Sequence, residues 1–438
     1  MSYLDNDSIP WKLITSSILI CKFVFDNYSE IHRYKLLNNP TPPKILKSEP
    51  IVNLYECHRL EARLDLITNF VKNLNKCILS CLSISINVLY YLWVISGFIL
   101  SKFSWALPTV STNSLVVRCL VFYCIQRLGS DLESFRLDCI YTFLSELGMN
   151  KYKWKSWLRD KILSLVISDS LSAILTLSLG VIIDYCGDNY VIYGTSFVTV
   201  YIIFIYSITP SLIDPLFFKF NHLEQGNLRN EIIKLAAKHG FSSRDIYVID
   251  SSKKTSRQNA YITGLPWNRK IVLFDSLIKT SSNKEVLANM AQLFGHYKHG
   301  HINKLVLLAI ADSVLYICLS TGFVKNKSLL KAFGFDSDAP GLVGYILFHN
   351  LFSFYRILSR HITKQLVTRF ENFAKKHAED LGYYCFFRTA SIKSLGLDLY
   401  SKESDWLHAT YFKNHISLME QLVGIEILLD LLKRNELN

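Results

Sequence analysis

The stretch SNKEVLANMAQLFGHYKHGH, Ser282 to His301, decides how the water-facing part of this chain folds. Ser282 followed by Glu285 is a plausible capping box, in which a hydroxyl and a carboxylate at this spacing satisfy the backbone N–H groups that open a helix. Just upstream, RKIVLFDS has the β-branched and aromatic content of a strand. A strand followed by a capped helix puts Gln292 and His296 one turn apart on the same helix face.

The remainder of the chain points to a membrane. Of 438 residues, 50% are hydrophobic and 19% charged. The mean hydropathy is +0.21, too apolar for a chain of this length that keeps its surface in water. A helix needs about 20 apolar residues to cross the hydrocarbon core. Four stretches meet that need: CILSCLSISINVLYYLWVISGFIL from Cys77, ILSLVISDSLSAILTLSLGVII from Ile162, YVIYGTSFVTVYIIFIYSI from Tyr190 and LVLLAIADSVLYICLSTGFV from Leu305. Weaker spans lie at Trp11 to Phe25, around Ser114 to Ile125, and from Leu342 to Leu358, so seven spans are expected. The first follows Asp5 and Asp7 rather than a basic segment and has no small-residue cleavage site, which predicts a retained anchor.

Charge orients the set. Lys and Arg gather after span one (Arg33, Lys35, Lys44, Lys47, Arg59, Arg63), after span three (Arg127, Arg136, Lys151, Lys153, Lys155) and after span five. The link between spans four and five carries only Asp184 and Asp188. The positive-inside rule therefore puts the loops after spans one, three and five, and the C-terminus, in the cytoplasm. Although the formal net charge is +12, the basic residues lie in juxtamembrane loops with no nucleic-acid motif, so nucleic acid is not an expected partner. The ten cysteines include no CxxC pair, which indicates neither a zinc ribbon nor a disulfide framework. Asp169, Asp312, His349 and Asn350 fall inside expected spans, where such groups either line a water-filled interior or pair with neighbouring helices.

Four segments follow: spans one to five over 1–218, a cytoplasmic portion over 219–304, spans six and seven over 305–367, and a helical cytoplasmic portion over 368–438. In the second, NEIIKLAAKHG reads as a helix, IYVID as extended, and Gly240 and Gly264 as a helix end and a turn.

A helical H-E-x-x-H site uses two histidines four apart to hold zinc and the intervening glutamate as general base, with a third ligand from a later helix. In this chain His296 can ligate, Gln292 offers only a neutral amide, and Leu293 cannot accept a proton. His299 and His301 read as solvated residues at a helix end. A substitute ligand set would have to draw on these two or on His377 and Glu379.

Larger blocks give this helix a context. ITPSLIDPLFFKFNHLEQGNLRNEIIKLAAKHGF, IYVIDSSKKTSRQNAYITG, RKIVLFDSLI and EVLANMAQLFGHYKHGH, with YSEIHRYKLLNNPTPPKIL and LGMNKYKWKSWLRDKI before them and TRFENFAKKHAEDLGYY and NHISLMEQL after, resemble blocks of the type I CAAX prenyl endopeptidases in the same order. The resemblance covers nearly the whole chain. It implies a mainly α, polytopic membrane fold: about seven helices form a hollow barrel capped by a small cytoplasmic metalloprotease-like domain. It also implies zinc as cofactor, prenylated CAAX proteins as partners, and residence in the endoplasmic reticulum membrane or inner nuclear envelope. Position by position, the family's first zinc histidine falls on Gln292, its catalytic glutamate on Leu293, its second zinc histidine on His296 and its third ligand on Glu371. The aspartate that follows this last glutamate in the family is Lys375 here. The family's substrate-contacting asparagine is Asn259, and the histidine of its H-P-P-L block is His415, with Ile416 and Ser417 replacing the prolines.

Three functional readings follow: an impaired or inactive homologue that holds prenylated or translocation-related clients, a working CAAX protease with an unorthodox site, and a channel or carrier using the intramembrane chamber. Loss of a general base alone typically costs about 100- to 10,000-fold in rate, and the loss of a ligand compounds it. The charge distribution also makes a topological prediction. Thiol reagents that cannot cross membranes should reach a cysteine engineered near Lys253 from the cytoplasmic side only, and labelling from the lumen would reverse the orientation.

Overall fold

The computed structural model describes residues 4–37, 49–103, 115–144, 153–252, 254, 259–335, 339–383, 385–387 and 389–390. Helices α1 (Trp11–Leu37), α2 (Glu49–Ser85), α3 (Val88–Phe103), α4 (Leu115–Leu144), α5 (Trp154–Cys186), α6 (Tyr190–Ile208) and the short α7 (Asp214–Phe217) come first. An α/β portion follows, with β1 (Phe220–His222), α8 (Asn227–Ala237), β2 (Ile246–Ile249), β3 (Ala260–Thr263), β4 (Lys270–Phe274), α9 (Asp275–Thr280) and α10 (Asn283–Lys298). The chain then returns to helices α11 (His301–Ser320), α12 (Lys327–Ala332), α13 (Gly341–Leu351) and α14 (Tyr355–Asp380). The fold is mainly α and that of a polytopic membrane protein.

By length and composition alone, two helical stretches among the described residues can cross a membrane, Trp154–Phe217 and His301–Ser320. A third appears if the bent pair Leu66–Ser85 and Val88–Lys102 acts as one span. Trp154–Phe217 holds two antiparallel passes: the chain reverses at Gly187, whose φ is 54°, and Tyr201 of α6 donates its hydroxyl to the Leu171 carbonyl of α5 at 2.8 Å. Helix α6 carries no charged residue on any face, and its Thr195, Ser196, Thr199 and Ser207 hydroxyls donate to carbonyls of their own helix, as suits a helix in lipid.

Two expected spans are broken. The run from Cys77 to Leu100 is split at Ile86 and Asn87, where Asn87 takes a left-handed φ of 54° and the two arms diverge by 71°. Asparagine tolerates this conformation because its short polar side chain bonds locally, and an apolar run carries no cue to such a bend. The span expected over Leu342 to Leu358 ends as α13 at Leu351, and α14 starts at Tyr355 and continues far beyond it. The boundary expected at residue 367 thus falls inside an unbroken helix.

Charges inside the membrane helices are placed rather than scattered. Arg127 of α4 grips Asp169 of α5 through Nε at 3.0 Å and Nη2 at 2.6 Å. Arg118 donates to the Trp93 carbonyl at 3.1 Å with its guanidinium over the Trp93 ring. Tyr355 donates to Asp312 at 2.6 Å. Each contact offsets part of the cost of keeping such a group away from water.

The sheet has the order β1-β2-β4-β3; β2 and β4 are parallel and the outer pairs antiparallel. The strand expected over RKIVLFDS stops at Phe274, because Asp275 opens α9 and accepts from the Ser251 and Ser252 backbone N–H groups at 2.9 and 2.8 Å. Ile232 and Leu235 of α8, Ile271 and Leu273 of β4, and Val286, Met290 and Phe294 of α10 form the core of this portion. Lys254 ties it to the membrane helices, reaching Asp160 at 2.5 Å and the Phe217 carbonyl at 2.7 Å.

Helix α13 packs without room to spare: a Cβ on Gly344 would collide with the Val324 carbonyl. Overpacking of this kind costs about 1–3 kcal/mol. Gly344→Ala should therefore lower the unfolding temperature of the detergent-solubilised protein. Gly129→Ala, in α4 with nothing within 4 Å of the added carbon, should leave it unchanged or raise it.

Candidate active site

Helix α10 begins as its sequence specifies. The Ser282 hydroxyl accepts from the Glu285 N–H at 3.4 Å, and the Glu285 carboxylate accepts from the Ser282 N–H at 2.7 Å. Val286, Met290 and Phe294, one turn apart in succession, point into the core and are fully buried. That registry leaves Gln292 and His296 on the face that meets α14.

The meeting is close because residue 295 is glycine. A Cβ there would lie 2.8 Å from both the Cα and the carbonyl oxygen of Ala374 and 3.0 Å from the His377 Cβ. With the two backbones this near, Gln292 Nε2 donates to Glu371 Oε2 at 2.7 Å. The His296 Nε2 lies 3.5 Å from the same oxygen. Three residues singled out from the sequence therefore converge: Gln292, His296 and Glu371. Lys375, one turn further along α14, is half-buried.

The other sequence candidates fall elsewhere. Leu293 packs against the core of the α/β portion. Asn259 is exposed at the start of β3; its Oδ1 accepts from the Ala260 N–H at 2.8 Å, and its carbonyl accepts from the Phe274 N–H at 3.0 Å. His415 lies outside the described residues.

His301 departs from its expected place at a solvated helix end. Gly300, left-handed at φ 61°, turns the chain from α10 into α11, and His301 opens α11 with only 2% of its surface exposed. Its ring stacks on Phe370 of α14 with centroids 4.2 Å apart, and its Nδ1 lies 2.9 Å from His296 Nδ1. His299 is exposed, as expected. Only Gly295 carried a local hint of this arrangement, since a glycine inside a helix often marks a close backbone approach.

A second histidine pair sits nearby. His239, after α8, stacks on Phe294 with centroids 4.8 Å apart and meets the His377 ring edge-on at 5.2 Å. The Nε2 atoms of both are buried without a hydrogen-bond partner among the described residues.

Zinc is tested against these donors. A protein zinc site needs three or four ligands. The α10–α14 contact offers His296 and Glu371, while the amide of Gln292 presents an N–H donor to the carboxylate oxygen that would otherwise face the ion. Among the described residues no group of three or more His, Cys, Asp or Glu side chains is disposed to hold a metal. The residues present do not fit the ion.

Residues 33–219 match the family described as CAAX prenyl protease N-terminal, five membrane helices, and residues 222–415 match peptidase family M48. The chain belongs to the CAAX prenyl protease family of M48 membrane metallopeptidases. It is 29% identical to the probable CAAX prenyl protease 1 of Schizosaccharomyces pombe, across 97% of this chain and 90% of that one. It is 28% identical to CAAX prenyl protease 1 of Saccharomyces cerevisiae, across 97% of each. The crystal structure of Ste24p from S. mikatae superposes with a TM-score of 0.86 at 27% identity, covering 95% of this chain and 99% of that one.

Burial holds the pKa of His239 below its ordinary 6.5, and the charge of His377 adds to the effect. Burial lowers His377 too, aided by Lys298. The unfolded chain therefore takes up protons near pH 6.5 that the folded chain refuses, so stability is full above that pH and declines as the pH falls below it. The half-buried Glu379 carboxyl, whose pKa desolvation raises above 4.5, acts in the opposite sense only in more acidic solution. Thermal unfolding followed from pH 8 to pH 5.5 should show a falling midpoint, with a shallower fall in His377→Gln.

Proposed function

We propose that this chain uses the CAAX prenyl protease fold to hold clients rather than to cleave them. The clients are prenylated CAAX proteins or translocation-related polypeptides, bound at the endoplasmic reticulum membrane or nuclear envelope. One observation carries the reading: the Gln292 amide donates to Glu371 at the place where family membership calls for a metal ligand. The neighbouring Leu293 has no lone pair to activate water. Both changes act on the reacting centre and spare the scaffold around it.

Client binding has its own support. Strand β3 ends the sheet, pairing with β4 alone among the described residues, and it packs near α10. An extended peptide can add to such an edge through main-chain hydrogen bonds, and the exposed Asn259 stands at its start. In this reading 1–218 and 305–367 form a hollow membrane bundle, and 219–304 with 368–438 form its water-facing cap.

Metal analysis of the purified chain, paired with an assay on a farnesylated CAAX peptide, tests the proposal. The unmodified protein should carry well under one equivalent of zinc and leave the peptide intact. Gln292→His combined with Leu293→Glu should restore stoichiometric metal more readily than hydrolysis, because Lys375 remains close by and such outer residues matter typically 10- to 100-fold. One equivalent of zinc together with chelator-sensitive cleavage by the unmodified chain would make it a working protease.

A further inference from the structure

The turn between β3 and β4 holds two apolar residues clear of the sheet. The Leu265 carbonyl accepts from the Asn268 N–H at 2.9 Å, and Asn268 Oδ1 accepts from the Leu265 N–H at 2.9 Å. These bonds close a four-residue turn with Pro266 and Trp267 at its apex, and proline presets the backbone for the second position of such a turn. Gly264 enters it at φ 88°, where a Cβ would lie 2.5 Å from the Asn268 carbonyl oxygen. Leu265 is buried, but Pro266 is exposed and Trp267 has 67% of its surface uncovered. A tryptophan so exposed leaves a large apolar area unburied if only water surrounds it.

Two side chains tether this hairpin to the end of α6. Asn268 Nδ2 donates to the Ser207 carbonyl, and Lys270 Nζ donates to the Pro210 carbonyl at 2.7 Å. The helices set the level of these contacts. Tyr190, which opens α6, shares a 3.0 Å hydrogen bond with Ser320, which closes α11, so the two spans begin and end at a common level beside the turn at Gly187. From residue 190 to residue 207 the helix rises about 26 Å at 1.5 Å per residue. The hydrocarbon core is about 30 Å thick, so Ser207 stands near its opposite edge. Phe217, whose carbonyl accepts from Lys254, lies about 15 Å further along the same helical stretch. The α/β portion therefore joins the helices well clear of the bilayer, and the β3–β4 turn reaches back toward it. Between the two levels Leu212 and Leu216, one turn apart, are exposed, as suits a surface that still meets lipid.

We infer that the β3–β4 turn is a lipid contact, with the Trp267 ring seated at the boundary between the headgroups and acyl chains of a phospholipid bilayer. Indole favours that boundary because its ring is apolar while its N–H reaches polar headgroup atoms. Tyr206, next to Ser207 on α6, is an exposed aromatic of the same amphipathic kind at the same level. The lipid contact and the two tethers together set the height of β3 above the membrane. The inference does not depend on whether the α10–α14 contact holds clients or cleaves them.

The test uses the full-length protein in phospholipid nanodiscs. Subtracting the emission of Trp267→Phe from that of the unmodified protein isolates Trp267 among the seven tryptophans. A lipid with a nitroxide near its headgroup should quench this difference emission at least about twofold more than a lipid with the nitroxide at the end of its acyl chain. Acrylamide, confined to water, should quench it less than it quenches free tryptophan. Where Trp267→Phe does not fold, Trp267→Tyr, which keeps a ring with a polar tip, supplies the same subtraction. The inference is overturned by difference emission that neither lipid quenches or by quenching that is strongest from the chain end. It is equally overturned by shallow quenching that a farnesylated CAAX peptide abolishes, which assigns the apex to a client's prenyl tail.

Discussion

The approach of α10 to α14 at Gly295 is the constraint on which the candidate site depends. A methyl group there would meet the Ala374 backbone at 2.8 Å, so only glycine lets the helices close to the distance at which a side chain of ordinary length spans them. Gln292 then reaches Glu371, and His296 lies against the same oxygen. From the other side, the left-handed turn at Gly300 folds His301 onto Phe370 and fixes the start of α11 against α14. Packing and a neutral-to-charged hydrogen bond hold these elements together, and such a bond contributes more than one between neutral groups.

Polar groups on neighbouring helices and at their ends are held in pairs. Arg127 with Asp169, Lys254 with Asp160, and Tyr355 with Asp312 are matched pairs. Breaking a buried pair by removing one partner is far more damaging than the pair is stabilising, so these contacts fix how the helices are arranged. In the sequence the members of these pairs look like isolated polar residues.

Local chemistry made part of the fold legible. The capping box at Ser282, the strand in KIVLF and the helical spacing of Gln292 and His296 depend on neighbours a few residues away, and they stand where those neighbours put them. The bend at Asn87 was not legible, because the apolar run continues across it and only the backbone angle shows the break. The burial of His301 has no local cue for a different reason: its covering residue, Phe370, lies 69 positions away in the chain, from residue 301 to residue 370. The convergence of Glu371 with α10 depends equally on distant residues, and family resemblance rather than spacing supplied it. The stop at Phe274 could have been anticipated, since Asp275 suits a helix start better than a strand end.

Helix α14 runs from Tyr355 to Asp380 without a glycine or proline, the residues at which helices usually bend. It is therefore a stiff lever with one arm among the membrane helices and the other carrying Glu371. A rigid-body tilt of such an element would displace Glu371 relative to Gln292, because no hinge residue lies between its two ends to absorb it. The position of Glu371 is in this way set by how one straight element is seated among its neighbours.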